Sequence, residues 1–309
     1  MKQNKFIFFG TSRFSCIVLD ELLAAGFLPS LIVTTPDRPQ GRKLVLTAPE
    51  AKVWAEKHNV PIFQPEKLRD TSTDKNLRSE NDAEKKLREQ VEKQGVEFFV
   101  VASYGKIIPQ AILDIPGRGT LNVHPSLLPK FRGATPIQSA ILNEENVSEN
   151  SPKKTAVTGV TIILVDDKVD HGPIVAQEEV MIENWPPYAD MLEEKLARSG
   201  GKLLAKVIPD WIKGKIKPVP QDHSQETFTK KITKEDGLID LAGEPEKNLR
   251  KIRAYRDWPT AYFFTEYNGK QIRVVIREAD VADGKLEIKK VIPEGKKEMS
   301  YQDFLRGVR

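Results

Sequence analysis

The 309-residue sequence contains one cysteine, Cys16. A single thiol excludes an intramolecular disulfide framework and a cysteine-rich zinc site, and it fits a reducing, cytoplasmic setting. Long apolar runs are missing too. Met1-Lys2-Gln3-Asn4-Lys5 is followed by only four apolar residues, Phe6-Ile7-Phe8-Phe9, before Gly10. This is too short for a signal-peptide core, and no stretch approaches the roughly 18 residues of a membrane span. Secreted and membrane classes are not expected. Histidine is sparse and scattered (His58, His124, His171, His223), so no metal centre is expected. The phosphate-loop pattern G-x-x-x-x-G-K-S/T, the nucleophile elbow G-x-S-x-G and the zinc pattern H-E-x-x-H are all absent. Gly10 does not open a dinucleotide-binding G-x-G-x-x-G. Nucleotide hydrolases, α/β-hydrolases and zincins are therefore disfavoured.

Charge of one sign is also scarce. Charged residues make up 30% of the chain and apolar residues 39%, but 48 Lys+Arg against 44 Asp+Glu leave a net charge of only +4. The excess is unevenly placed. From Trp211 onward there are 21 basic and 16 acidic residues, and before it 27 and 28. All of the surplus positive charge lies in the last third.

The order of elements predicts two domains. Phe6-Ile7-Phe8-Phe9-Gly10 reads as a buried strand. Phe14, Ile17, Val18 and Leu22 follow at helical spacing, and Leu31-Ile32-Val33-Thr34-Thr35 reads as a second strand, completing a βαβ unit. Further strands are expected at Phe98–Ala102, Thr120–His124, 158–165 and from Ile174. Helices are expected at 50–58, Asp82–Gln94 (capped by Asn81 and Gly95), from Pro136 to Leu142, and at 188–212. Residues 36–49 and 143–154 read as polar loops. After the linker 213–222, Tyr262–Tyr267, Asn268-Gly269 and 271–277 read as a hairpin. The expectation is an α/β chain. A Rossmann-like, mostly parallel sheet spans 1–212, and a smaller antiparallel β domain spans 223–309.

One segment stands out for chemistry. In Leu121-Asn122-Val123-His124-Pro125-Ser126-Leu127-Leu128-Pro129, Asn122 and His124 are two residues apart and share a strand face. They lie at the carboxyl end of an expected parallel strand, where open α/β sheets bind ligands. An amide donor beside an imidazole suits an oxygen that gains charge in acyl transfer. A strand-end asparagine and a histidine packed on Pro125 account for the same spacing equally well. Asp170, in the polar turn Asp166-Asp167-Lys168-Val169-Asp170-His171-Gly172, would hold the imidazole tautomer if it reached His124, yet a turn is also where aspartate ordinarily sits. Loop 36–49, with Arg38, Arg42 and Lys43, suits either a solvated face or a basic lid over an anion.

Asn122 to Pro129, followed by Arg132-Gly133-Ala134-Thr135-Pro136-Ile137-Gln138, resembles the signature of the folate-dependent formyltransferases. Phe9-Gly10-Thr11, Pro36-Asp37-Arg38-Pro39-x-Gly41-Arg42, Tyr104-Gly105-x-Ile107-Ile108-Pro109 and Gly159-Val160-Thr161-Ile162 extend the likeness. So do Ile232-Thr233-Lys234-Glu235-Asp236 and Ile252-Arg253-Ala254-Tyr255-x-x-Trp258-Pro259. Within that group the similarity is to the enzymes that act on initiator methionyl-tRNA. It implies 10-formyltetrahydrofolate as formyl donor, released as tetrahydrofolate, and no metal. It also implies catalytic roles for Asn122, His124 and Asp170. Folate contacts would come from Tyr104, Gly105, Ile107, Leu121, Ser126, Leu127, Val165, Asp166 and Asp167. Contacts to tRNA would come from Arg38, Arg42, Lys43, Lys230 and Arg253. The implied tail is an OB-like barrel, and the implied protein is a cytoplasmic monomer.

The sequence departs from the family pattern at several points. Ser12 stands where proline is usual, the basic loop Gly41-Arg42-Lys43-Leu44-Val45 is shorter and less basic, and His171 follows Asp170. Stretches 70–82 and 144–154 read as insertions. Four other readings compete: a formyltransferase acting on a purine precursor, one acting on a nucleotide-sugar amine, a formyl-folate hydrolase, and an RNA-binding adaptor with an inactive α/β domain.

Overall fold

The computed structural model describes residues 6–41, 44–68, 82–143, 147–148, 155–267 and 269–307. Arg42, Lys43, Asn81, Asn268 and most of both expected insertions lie outside them. In chain order the first elements are β1 (Phe6–Gly10), α1 (Arg13–Ala24), β2 (Leu31–Val33), β3 (Arg38–Gln40), β4 (Val45–Thr47), α2 (Glu50–Lys57) and β5 (Ile62–Phe63). Next come α3 (Asp82–Gln94), β6 (Phe98–Ala102), α4 (Gln110–Leu113), β7 (Thr120–His124), α5 (Pro136–Leu142) and β8 (Val147–Ser148). Then follow β9 (Thr155–Leu164), β10 (Ile174–Ile182), α6 (Ala189–Ile212) and α7 (Pro245–Ala254). Last are β11 (Tyr262–Tyr267), β12 (Lys270–Ala282), β13 (Lys285–Pro293), β14 (Met299–Ser300) and α8 (Tyr301–Gly307).

These elements form two compact units, interleaved along the chain. One comprises Met1–Arg132, Gly159–Val180 and Glu194–Thr227; the other comprises Gly133–Thr158, Met181–Glu193 and Phe228–Arg309.

The first unit is built on a sheet of order β10-β9-β7-β6-β1-β2-β5. Pairings β1–β2, β2–β5, β1–β6 and β6–β7 are parallel, and β7–β9 is antiparallel. The sheet is thus mostly parallel, as the βαβ pattern implies. The chain goes from β1 to β2 on one side and returns to β6 on the other, so a topological switch point lies beside β1. All five residues of β1 are buried, the mark of a central strand covered on both faces.

The helix α1 forms because Phe14, Ile17, Val18, Leu19 and Leu22 line one buried stripe. Its N-cap is Ser12, the residue that replaces the family's proline. Ser12 donates its backbone N–H to Ser15 Oγ (3.2 Å) and its hydroxyl to Ser103 Oγ (2.8 Å), tying the ends of β1 and β6 together. Gly200 and Gly201 let α6 approach closely: a Cβ at Gly200 would stand 2.6 Å from Val123 Cγ1, and one at Gly201 2.7 Å from Glu21 Cβ.

The second unit holds the antiparallel sheet β11-β12-β13-β14. Tyr267 pairs with Lys270 and Ala282 with Lys285, so both hairpins are tight, and Asp283 and Gly284 take the positive φ of a type I′ turn. Ile239, Ile252, Phe263, Val274, Ile276, Val291 and Phe304 form its core.

Two segments expected as loops contain strands. Residues 36–49 include the antiparallel β3–β4 hairpin, with Val45 and Leu46 exposed, and residues 143–154 include β8, paired with the start of β9. The tail is the smaller antiparallel β unit expected; among the described residues no ladder joins β11 to β14. A one-residue parallel bridge between Leu238 and Tyr262 extends its free edge. Among the described residues, no helix is long and apolar enough to cross a membrane.

Two outcomes follow from this packing. Phe9 is fully buried against Phe99 and Tyr104 (ring centroids 5.3 and 5.4 Å), so Phe9→Ala should cost about 3–5 kcal/mol in urea unfolding, whereas Val53→Ala, at an exposed helix position, should change stability by less than about 0.5 kcal/mol. Burial, then Glu50 and Asp20, push the Cys16 thiol up to about 12. The folded protein should therefore react with a thiol reagent at pH 8 far more slowly than the urea-unfolded chain does, since the thiolate is the nucleophile.

Candidate active site at the carboxyl ends of the central strands

Strand alternation makes the site. On β7, Leu121 and Val123 are buried on one face, and Asn122 and His124 project from the other. Asn122 pairs with Val101 of β6 and Ile163 of β9, and His124 with Thr161. The imidazole is nearly inaccessible, and its Nε2 lies 3.0 Å from the Phe131 carbonyl oxygen, so an Nε2–H donates there and Nδ1 faces the opposite way.

Asp170 meets that nitrogen. Its Oδ1 lies 3.6 Å from His124 Nδ1 and 3.4 Å from Asn122 Nδ2. Both separations exceed the usual hydrogen-bond range of about 2.7–3.2 Å. The Asn122 amide and the Nδ1 edge of His124 therefore face one carboxylate oxygen, each at a distance longer than a hydrogen bond. The three residues singled out from the sequence are thus neighbours, although 48 positions separate Asn122 from Asp170.

The backbone holds Asp170 in place. Its φ is +48°, in the left-handed region that side chains disfavour. Gly172 follows, and a Cβ there would lie 1.8 Å from the Leu164 carbonyl oxygen, so only glycine lets the β9–β10 loop close this tightly. Gln221 donates from Nε2 to the carbonyls of Asp170 (2.8 Å) and Gly172 (2.7 Å). Arg132, 1% exposed, donates to Gln221 Oε1 from Nε (3.2 Å) and Nη2 (2.7 Å), pairs through Nη1 with Glu226, and contacts His223 Nδ1 at 2.8 Å. His171 stacks on His223 with centroids 4.2 Å apart and reaches Asp166 Oδ2 at 2.7 Å. Sequence reasoning missed Arg132 and Gln221. Arg132 stands two residues after Lys130, and nothing in the sequence distinguishes the buried guanidinium from the exposed ammonium. Gln221 lies in a stretch that composition marks only as linker.

The expected folate residues fall into two groups. Tyr104 is buried; its phenol, raised by that burial, packs with Phe9 in the core, and its carbonyl accepts from Thr11 Oγ1 (2.7 Å). Leu121 and Ser126 are fully buried, the Ser126 hydroxyl bonding to the Lys130 carbonyl (2.7 Å). These residues can meet a ligand only through backbone. Gly105 and Ile107 lie on the loop after β6, where Ile107 is 84% exposed. Leu127, Val165 and Asp166 are half-buried, Asp167 is exposed, and nearby Val169 is 59% exposed. Backbone polar groups beside unshielded apolar side chains suit a flat heteroaromatic ring. Among the described residues no cluster of three or more metal-ligating side chains occurs.

Of the expected tRNA contacts, Arg38 is exposed on β3 and Lys230 is exposed in the second unit. Beside Arg38, burial and then the Arg38 charge hold the Lys106 ammonium below its ordinary value, and Lys106 donates to the Pro65 and Glu66 carbonyls (3.0 Å each). Arg253 is half-buried, paired with Asp280 and set over the Tyr188 ring. Its charge is already largely compensated. Arg42 and Lys43 lie outside the described residues.

The comparisons agree with this geometry. The family model described as "Formyl transferase" matches residues 4–208, and "Formyl transferase, C-terminal domain" matches 231–283. The methionyl-tRNA formyltransferase of Halalkalibacterium halodurans is 38% identical over 326 aligned positions, covering 98% of this chain and 94% of that protein. The protein of the same name from Chloroflexus aurantiacus is 41% identical over 282 positions, covering 91% and 82%. Among solved structures, a 4-N formyltransferase from Francisella tularensis shares the fold with TM-score 0.61 at 18% identity, covering 90% of this chain and 99% of that one. HypX from Aquifex aeolicus, solved with tetrahydrofolic acid, aligns with TM-score 0.59 at 13% identity over 99% of this chain and 47% of its own. The chain belongs to the formyl transferase family, among the methionyl-tRNA formyltransferases.

Proposed function

We propose that this chain transfers a formyl group from 10-formyltetrahydrofolate to the free amino group of initiator methionyl-tRNA, acting in the cytoplasm as a monomer. The observation that carries the reading is the convergence of Asn122, His124 and Asp170 on one point, 3.4 and 3.6 Å apart, at the carboxyl end of β7. Relatives named for this reaction match over more than nine tenths of the chain, and this supports the choice of substrates.

The folate supplies the formyl group when bound. The Asn122 amide and the His124 ring donate hydrogen bonds to the formyl oxygen, most strongly as it gains negative charge under attack by the methionyl amine. Asp170 keeps His124 oriented, and it accepts the proton released as the amine forms the new C–N bond. That proton goes on to the folate nitrogen as the old C–N bond breaks, so no net charge is left behind. Gly105, Ile107 and Leu127, with backbone of Tyr104, Leu121 and Ser126, hold the folate ring, and the 165–167 segment meets its polar edge. Arg38, Arg42, Lys43 and Lys230 supply phosphate contacts, with Arg253 shaping the surface through Asp280. The division of labour is 1–212 for catalysis, 213–222 as linker and 223–309 for tRNA.

Three outcomes test the proposal. His124→Ala should lower formyl transfer to charged initiator tRNA by about 10²- to 10⁴-fold while tRNA binding persists in a filter assay; transfer at the wild-type rate would contradict the role given to His124. Asp170→Asn, which keeps the shape and removes the charge, should lower the single-turnover rate with little change in tRNA affinity. Binding of tRNA by the full chain should weaken steeply as KCl rises, and Arg38→Ala should reduce the slope of log K against log salt by about 1; an unchanged slope removes Arg38 from the phosphate contacts.

A further inference from the structure

Asp170 contacts Asn122 and His124 across 3.4 and 3.6 Å, too far for those contacts to fix where its carboxylate stands. Its backbone is in the disfavoured left-handed region, at φ +48°. The carbonyls of Asp170 and Gly172 turn toward a single nitrogen, Gln221 Nε2, at 2.8 and 2.7 Å. A primary amide has two N–H hydrogens, so each carbonyl receives one.

The orientation of the Gln221 amide is itself set. Its oxygen faces the Arg132 guanidinium at 2.7 and 3.2 Å, and the reversed amide would turn N–H toward a cation and oxygen toward two carbonyl oxygens. Gln221 is buried, 5% exposed, so its four hydrogen bonds are formed away from competing water. Arg132 is braced in turn by Glu226 and by His223, whose ring stacks on His171. Residues Asp170, His171 and Gly172 are thus all met by residues from 221–226, and His171 reaches Asp166 within the same loop.

We propose that Gln221, anchored by Arg132, is a positioning residue for the reaction: it sets the distance from the Asp170 carboxylate to Asn122 and His124 and touches neither substrate. The assignment rests on the reading of Asn122, His124 and Asp170 as the reacting set. Misplacing a reacting group by about 1 Å costs on the order of 100-fold in rate, and release of two carbonyls from one clamp permits such a shift.

The test uses the full chain, with formyl-folate and charged initiator tRNA as substrates. Gln221→Met keeps the length of the side chain and removes all four of its hydrogen bonds. It should lower kcat on the order of 100-fold and leave the KM for tRNA unchanged, because the residues assigned to tRNA lie outside segment 166–172. In an Asp170→Asn background the same change should cause no further loss, because Gln221 acts only through Asp170. If Gln221→Met fails to fold by circular dichroism, Arg132→Lys carries the same expectation: it retains the charge beside Glu226 and loses the fork on Gln221. Wild-type kcat in the folded variant, a loss expressed only in KM, or a full additional loss on top of Asp170→Asn would each overturn the proposal. Wild-type kcat in Asp170→Asn alone would instead overturn the reading beneath it.

Discussion

The site depends on a carboxylate reaching two side chains on a strand 48 residues earlier in the chain. That meeting is difficult for a geometric reason. β9 runs antiparallel to β7, and Leu164, its last residue, lies opposite Leu121. The chain therefore leaves the sheet beside the start of β7 and must double back by about 10 Å, three residues of strand, to bring Asp170 level with His124. A loop that reverses so sharply needs a residue without a side chain at its closure, which is Gly172 against the Leu164 carbonyl. It also needs hydrogen-bond donors for the carbonyls turned inward, which come from Gln221. The ease with which β7 offers Asn122 and His124 from one face contrasts with the machinery needed to deliver Asp170.

The same economy appears at the switch point beside β1. Thr11 donates from its backbone N–H to the Ser103 carbonyl (3.1 Å), Ser15 donates its hydroxyl to the Ala102 carbonyl (2.6 Å), and Ser12 binds the Ser103 hydroxyl. These short polar side chains satisfy the backbone where two parallel strands end and their loops diverge. The family's proline could not supply the Ser12 N–H, and in this chain the serine both caps α1 and joins the loops. Polar groups that look incidental along the chain thus hold the open end of the sheet in one conformation.

Formal charge and usable charge are different quantities here. The last third of the chain carries the surplus of basic residues, yet several of them are internal braces. Arg253 is held by Asp280, Lys289 pairs with the same carboxylate, and Arg256 lies over Tyr188 and bonds to the Arg277 carbonyl. Lys230, by contrast, is exposed. Part of the surplus stabilises the small antiparallel unit, whose core is modest.

By itself the sequence determined every major strand and helix that carries the site, because buried β-branched runs, helical apolar spacing and glycine or proline punctuation act locally. It also placed Asn122 and His124 on one face, since strand alternation admits no other result. It left the β3–β4 hairpin and β8 unrecognised, both short pairings in polar segments with no apolar period to announce them. That Asp170 stands beside His124 was decided only by tertiary structure, as was the place of Gln221 against the Asp170 and Gly172 carbonyls. The reason is physical: both depend on hydrogen bonds between segments tens of residues apart, whose distances are set by strand register and loop closure and leave no periodic trace in the chain.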